Sequence, residues 1–497
     1  MYALSGFCAL ALEILWFRVV DVGVKATAFT FGTVLAIFLF GSAAGALLGR
    51  RWADRLARPL LVFTALQAAI LIYAGLGALA IAGLPVDTPV YEWLFGYWRA
   101  AQGFRLGTDQ DFESLVRLYL VPTVLMGLSF PVLQRAVHDD PRTSGRKVGV
   151  LQAANIAGCV AGSLLVGLVL LRWLGTMGSM RLLLGCGLVF VVVGWWHHGP
   201  RPVLVAQGLA LAGLLALLPG QDTFWARMHG LEGGPALFEE DASSVAGVTP
   251  QGGRFWFVFV DGKSHSVLPY GDDEHTLLEA VPALIHPAPV EAAIVGLGSG
   301  NTAWAAGCRS ETRRIRVYEI ASPQMRLLRE LNRRESFPRL SRFLEDPRVQ
   351  VETADGRHAL ARQDTRYDLI EAHALWPWSS YSGNLYSVEF FELCARRLKP
   401  GGVVCTWAPT PRLAATFTRV FPQAVDVGGL LVGSVDPLPL DIAAWTDRAQ
   451  APDVREYLGR HASRGVIRAL RGARRVDPGR ELSLNRDLYP RDELAVP

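Results

Sequence analysis

The sequence predicts an α-helical transmembrane bundle over residues 1–220, followed by a small β-domain at 221–288 and an α/β domain at 289–497. Three observations carry this. Of the 497 residues, 51% are hydrophobic and 19% charged, and mean hydropathy is +0.25, too apolar for an ordinary soluble chain, in which about a quarter of residues are charged. Apolar segments long enough to cross a bilayer, roughly 17–25 residues, recur at 3–24, 27–49, 60–84, 114–134, 148–171, 178–196 and 203–219, so about seven spans are expected. From Gln221 onward charge is ordinary and no further spanning run occurs. There, residues 293–303 read Ala-Ile-Val-Gly-Leu-Gly-Ser-Gly-Asn-Thr-Ala: an apolar strand, a glycine turn and a helix start.

The first apolar segment begins almost at Met1 and lacks a small-residue cleavage site, so it reads as a retained helix. Arg50, Arg51, Arg55 and Arg58 follow the second segment, and Arg135, Arg142, Arg146 and Lys147 follow the fourth, which places both loops in the cytoplasm. Strict alternation of seven spans would then deliver the α/β domain to the outer side, against a cytosolic nucleotide. A re-entrant last segment, carrying Gln207, or an additional pass at the aromatic stretch 90–98 would restore a cytoplasmic domain, which is the expected orientation. Gly41, Gly45 and Gly49, and Gly158 and Gly162, are spaced for close helix packing. Glu13 and Arg18 lie in the first segment, where charges pair or line a polar route.

The glycine turn at 296, 298 and 300 lets a ligand press against bare backbone, and the helix it opens offers unpaired N–H groups. The dinucleotide fingerprint wants its third glycine one position later, where Asn301 stands, so the spacing favours an S-adenosyl site over NAD. About twenty residues on, the strand Arg316-Val-Tyr-Glu-Ile brings Glu319 to where a carboxylate takes both ribose hydroxyls. A third strand ends in Asp355-Gly356, suited to an adenine amino group. The fourth, Tyr367 to His373, has its far end toward the reacting group. A helix at Val388 to Leu398 and a strand at Val403 to Trp407 complete the pattern.

Before the turn, Arg254 to Leu268 reads as two strands joined at Asp261-Gly262, a strong hairpin signal. Tyr270-Gly-Asp-Asp-Glu-His and an apolar helix to His286 follow. The six cysteines stand singly, without Cys-x-x-Cys, so neither a metal site nor a disulfide framework is indicated. The net charge of +4 is spread over loops and an Arg-rich tail, and no nucleic-acid motif accompanies it.

With this order of elements, the chain resembles the bacterial membrane-fused spermidine synthases, a transmembrane bundle preceding a polyamine aminopropyltransferase-like domain. The resemblance rests on Thr27 to Gly41 with its basic exit, the Val-Asp-Gly-Lys hairpin, the glycine turn, Asp355-Gly356-Arg357, the run Ser382 to Phe391 and the closing Asn485 to Glu493. It implies a class I methyltransferase-like, Rossmann-like sheet. The implied co-substrate is S-adenosylmethionine or its decarboxylated form, with Gly296, Gly298 and Gly300 at its tail, Glu319 at the ribose, and Asp355 with Gly356 at the base. Asp272, Asp273 and His275 fall where the family's gate contacts substrate. The implied partners are a small amine or polyamine and the lipid bilayer; a homodimer is left open.

One position departs from the family. The aspartate that helps deprotonate and hold the attacking amine aligns with His373. An imidazole with a pKa near 6.5 can take the proton but cannot supply a negative site for a polyamine's other ammonium; Glu371, two residues earlier on the same strand face, restores that charge. Three readings stay open: aminopropyl transfer to a polyamine, methyl transfer to a membrane-presented substrate through a pocket containing Trp376, Trp378 and Tyr381, and non-catalytic binding of polyamine or nucleoside.

Overall fold

The computed structural model describes residues 1–24, 27–83, 88–89, 93–94, 109–137, 141–231, 234–271, 274–372, 375–476 and 483–495. The chain divides into two compact units, Met1–Ala242 and Ser243–Pro497.

The first unit is helical. Six helices among the described residues are long and apolar enough to cross a membrane: Tyr2–Gly23, Thr30–Arg55, Pro59–Ile81, Leu115–Val137, Ser144–Trp173 and Gly175–His198. The seventh expected span is a shorter helix, Pro202–Leu217, which bends by 82° into Gln221–Met228. Proline opens it, and Pro219-Gly220 stops it after 16 residues, a rise of about 24 Å against about 30 Å of hydrocarbon. The extra pass considered at 90–98 lies mostly outside the described residues. Small residues set the packing: a Cβ at Gly45 would strike the Val124 carbonyl, and one at Gly158 the Ala3 carbonyl, so these helix pairs touch backbone to backbone. Glu13 is half-buried, and Arg18 pairs with Glu240 at 3.5 Å.

In the second unit, β1 (Val245–Gln251), β2 (Phe255–Val260) and β3 (Lys263–Leu268) form an antiparallel meander. Its β2–β3 turn is Asp261-Gly262, both at positive φ, 46° and 74°, the backbone that Asp-Gly predicts. After helix α1 (Glu274–Ile285) comes a sheet of β4 (Glu291–Val295), β5 (Arg314–Glu319), β6 (Val349–Thr353), β7 (Tyr367–Ala372), β8 (Leu398–Trp407), β9 (Val425–Val427) and β10 (Leu430–Gly433), edged by the two-residue strand Arg474–Arg475. Numbered from β4, the spatial order is 3-2-1-4-5-7-6: the first five strands are parallel, and the last two form a hairpin whose β10 pairs antiparallel with β8. That order is the class I methyltransferase-like, Rossmann-like arrangement, with its switch point between β4 and β7.

Both faces of the sheet are covered, which is why its central strands read as unbroken apolar runs. One face packs Tyr318, Tyr367, Ile370 and Ala372 against Phe390, Phe391, Phe417 and Phe421, with Phe391 and Phe417 rings meeting edge to face at 5.1 Å. The other face receives α1, buried from Thr276 to Ile285 apart from half-buried Leu277.

Candidate functional site

Parallel pairing puts the carboxyl ends of β4, β5, β6 and β7 on one edge. Val295 stands opposite Tyr318 and Ala372, and Glu319 opposite Thr353. Gly296, Glu319 and Asp355 therefore stand at or just beyond strand ends that lie side by side. All three turn glycines have left-handed backbone, with φ of 99°, 53° and 85° at Gly296, Gly298 and Gly300, a conformation other residues adopt only at a cost. Gly300 has a second constraint: a Cβ there would sit 2.6 Å from the Phe343 ring. At Gly356 a Cβ would fall 2.6 Å from Val295 Cγ1, so the backbone of the third strand end closes directly on the first.

Glu319 is buried and its carboxylate is held by backbone. Oε2 accepts the Leu297 N–H and Oε1 the Ala321 N–H, each at 2.7 Å. Burial pushes its carboxyl above the usual range, and these N–H groups oppose that rise. Asp355 is exposed and caps the helix Gly356–Arg362, its Oδ1 accepting the His358 N–H at 2.9 Å.

Several residues that sequence reasoning missed brace the turn. Tyr270 donates to the Ser299 carbonyl at 2.5 Å, Thr276 donates to Asn301 Oδ1 at 2.9 Å, and Gln324 Nε2 donates to the Gly298 carbonyl at 2.8 Å. Around this same turn Ser266 Oγ, Ser299 Oγ and Gln324 Oε1 are buried with no partner among the described residues. No periodicity marks such residues, because each acts on a turn distant in sequence.

Of the expected substrate residues, His275 is half-buried and its carbonyl accepts from Thr302 Oγ1 at 3.4 Å. Nearby His265 has its pKa lowered to about 4 by desolvation, with Lys263 and His275 adding to the effect. Tyr381 is 75% exposed, and its N–H donates to Glu493 at 2.8 Å. Trp376 packs against Trp378 and Trp407, ring centroids 5.2 and 6.0 Å away. His373, Asp272 and Asp273 lie outside the described residues. Glu371 is sealed in the sheet beside Cys405, and burial raises its carboxyl well above the usual range. The closing Asn485 to Glu493 segment is a brace: Asp492 accepts from Thr410, Arg412 and Asn485, and Asp487 pairs with Arg357 at 2.6 Å.

Residues 272–424 match the model of the spermine/spermidine synthase domain. The chain is 28% identical over 393 residues to polyamine aminopropyltransferase 2 of Streptomyces coelicolor, covering 74% of this chain and 66% of that one. It is 27% identical over 191 residues to polyamine aminopropyltransferase of Nitrosomonas europaea, covering 38% and 57%. It thus spans about two thirds of the first relative and just over half of the second. Spermidine synthase from Thermotoga maritima overlays 45% of this chain and 87% of its own, with TM-score 0.35 and 18% identity.

Proposed function

We propose that this spermidine-synthase-type domain binds S-adenosylmethionine or its decarboxylated form and transfers the aminopropyl group of the decarboxylated form to a polyamine at the cytoplasmic face of a membrane. The observation that carries the reading is the alignment of three left-handed glycines with the buried Glu319 carboxylate on one sheet edge, within a segment matching the spermine/spermidine synthase domain. The fit is chemical. Glu319 presents carboxylate oxygens to ribose hydroxyls, the glycine turn admits a ligand against bare backbone, and the unpartnered Ser266, Ser299 and Gln324 atoms would be satisfied by a polar tail.

When bound, such a co-substrate supplies a sulfonium whose neighbouring methylene is electrophilic. His373 takes one proton from the acceptor ammonium, freeing the nitrogen lone pair. The nitrogen then bonds to that methylene while the carbon–sulfur bond breaks, its electron pair going to sulfur to leave a neutral thioether. Glu371 provides negative charge for the acceptor's other ammonium; Asp272, Asp273 and His275 contribute at the entrance, and Asp355 with Gly356 receives the base.

Six membrane-length helices among the described residues, with the bent Pro202–Leu217 helix as a re-entrant segment, support a cytoplasmic domain. With the Arg50–Arg58 and Arg135–Lys147 loops inside, the sixth span also returns to the inside.

The test is to incubate the purified full chain with S-adenosylmethionine and with its decarboxylated form, each with polyamine or lipid acceptors, and to identify products by mass spectrometry. Aminopropylated polyamine is expected. Methylated product from S-adenosylmethionine alone would favour the second reading, for which the Trp376, Trp378 and Trp407 cluster speaks. Nucleoside binding without any product would leave a binding module.

A further inference from the structure

The proposed chemistry leaves the Arg-rich end of the chain unused. Residues 460–471 form the second half of the helix Pro452–Arg471 and carry four arginines and one histidine with no acid. The first half is different. It holds Asp453, Glu456 and a single arginine, and it stops at Gly459, whose φ of 77° and ψ of 168° break the helix. Arg339 fills the break: its Nη2 donates to the Leu458 carbonyl at 2.7 Å, and a Cβ at Gly459 would fall 2.7 Å from that same nitrogen. The kink therefore gives the basic half its own direction, apart from the acids that precede it.

At about 100° per residue, Arg460, Arg464, Arg468 and Arg471 fall within an arc of about 80°. Ala462, Ser463, Val466 and Leu470, all buried, lie across the helix. The arginines form its outer face: from 460 to 471 the exposed residues are these four and His461 alone. Arg464 Nη2 lies 3.3 Å from His461 Nδ1. Among the described residues none of the four guanidiniums has a carboxylate partner. The two arginines that follow are engaged, Arg474 with Asp426 at 2.8 Å and Arg475 with the Gln423 and Leu438 carbonyls. Arg460, Arg464 and Arg468 are successive like-charge pairs four residues apart, which weaken a helix until a surface of opposite charge relieves them.

We propose that this arginine stripe docks on the anionic headgroups of the lipid bilayer, so that charge as well as chain connection holds the α/β unit to the membrane. The occupant follows from the rest of the molecule. Six membrane-length helices keep the chain at a bilayer, so lipid phosphates stand at high effective concentration, whereas a soluble polyanion must be recruited from solution. Arginine suits the task because its planar guanidinium bonds two phosphate oxygens at once. With no exposed apolar side chain on the stripe, the contact is electrostatic rather than inserted, and salt weakens it.

The full chain is placed in nanodiscs of phosphatidylcholine, alone or mixed with phosphatidylglycerol, and its arginines are modified with phenylglyoxal and followed residue by residue by mass spectrometry. Arg460, Arg464, Arg468 and Arg471 should react about tenfold more slowly over the anionic lipid, and high salt should return them to the neutral-lipid rate. Arg419 is the internal control. It is exposed on the helix Pro411–Val420, which covers the aromatic face of the sheet, whereas the arginine helix packs on α1 at the other face, so it should react alike in both lipids. The double variant Arg464→Gln/Arg468→Gln changes only exposed side chains and should keep the parent's melting temperature. In it Arg460 and Arg471 should react within about twofold of their neutral-lipid rate, each arginine being worth about fivefold in docking. Equal rates in the two lipids, or protection that survives high salt or the double substitution, overturns the proposal. So does protection by RNA or inorganic phosphate in neutral nanodiscs with none from phosphatidylglycerol, which would assign the stripe to a soluble anion. No substrate enters the test, so its outcome is independent of the transferase reading.

Discussion

The Glu319 carboxylate accepts the Leu297 N–H at 2.7 Å, so the end of the second strand of the sheet is bonded into the glycine turn that follows the first. One side chain thus shapes the turn, and in the proposed function it is the one that takes the ribose. The second N–H it accepts, from Ala321, fixes the carboxylate's rotamer before any ligand arrives.

Glu319→Ala should weaken binding of an S-adenosyl nucleoside by about 1.5–3 kcal/mol, roughly tenfold to a hundredfold. Isothermal calorimetry measures this directly. Equal affinity before and after the change would remove the ribose assignment.

Gly300→Ala meets two obstacles, a φ of 85° and the Phe343 ring. The expected cost is about 1–3 kcal/mol from backbone strain, seen as a lower melting temperature. Adding Phe343→Ala should restore only the steric part, since φ stays unsuitable. Full recovery in the double variant would mean the backbone is not strained there.

The buried carboxyl of Glu279 makes stability depend on pH. Its folded pKa lies well above the ordinary carboxyl value, so its contribution is complete below about pH 4, the unfolded value, and is lost as pH rises toward the folded one. Across that window each pH unit costs about 1.4 kcal/mol. Glu279→Gln should therefore raise the melting temperature at mildly alkaline pH and leave it nearly unchanged in acid. A variant with the parent's pH slope would contradict this.

His373→Ala should lower turnover by about 10²–10⁴-fold, the usual loss for a general base, with nucleoside affinity retained. In the parent, activity should fall as pH drops through the imidazole range, because a protonated ring cannot accept the amine's proton. Rapid-quench or steady-state assays across pH decide the matter, and a fully active variant would displace His373 from the mechanism.

A cysteine introduced at Asp364, whose side chain is fully exposed, should resist an impermeant maleimide added to intact cells and react after lysis. Ser463 would be a poor site because it is buried. Labelling from outside would reverse the proposed orientation.

The sequence alone determined what local chemistry determines. The Asp261-Gly262 turn, the glycine triplet at 296, 298 and 300, the apolar strands preceding them and six of the membrane-length helices each depend on residues within a few positions, so spacing and residue type suffice. Tertiary structure decided the rest. Tyr270, Thr276 and Gln324 reach the glycine turn from 25 to 29 residues away, Arg18 finds Glu240 rather than Glu13, and the closing Asn485 to Glu493 motif turns out to brace loops. The last apolar run forms a 16-residue helix that two prolines bound and that bends by 82° into the next. Glu279 and Glu371 lie 92 residues apart; on paper one is a helical polar residue and the other a strand-end acid. Packing α1 on β7 and β8 buries both, and that burial raises each carboxyl's pKa, with the charge of Glu371 adding to the rise at Glu279.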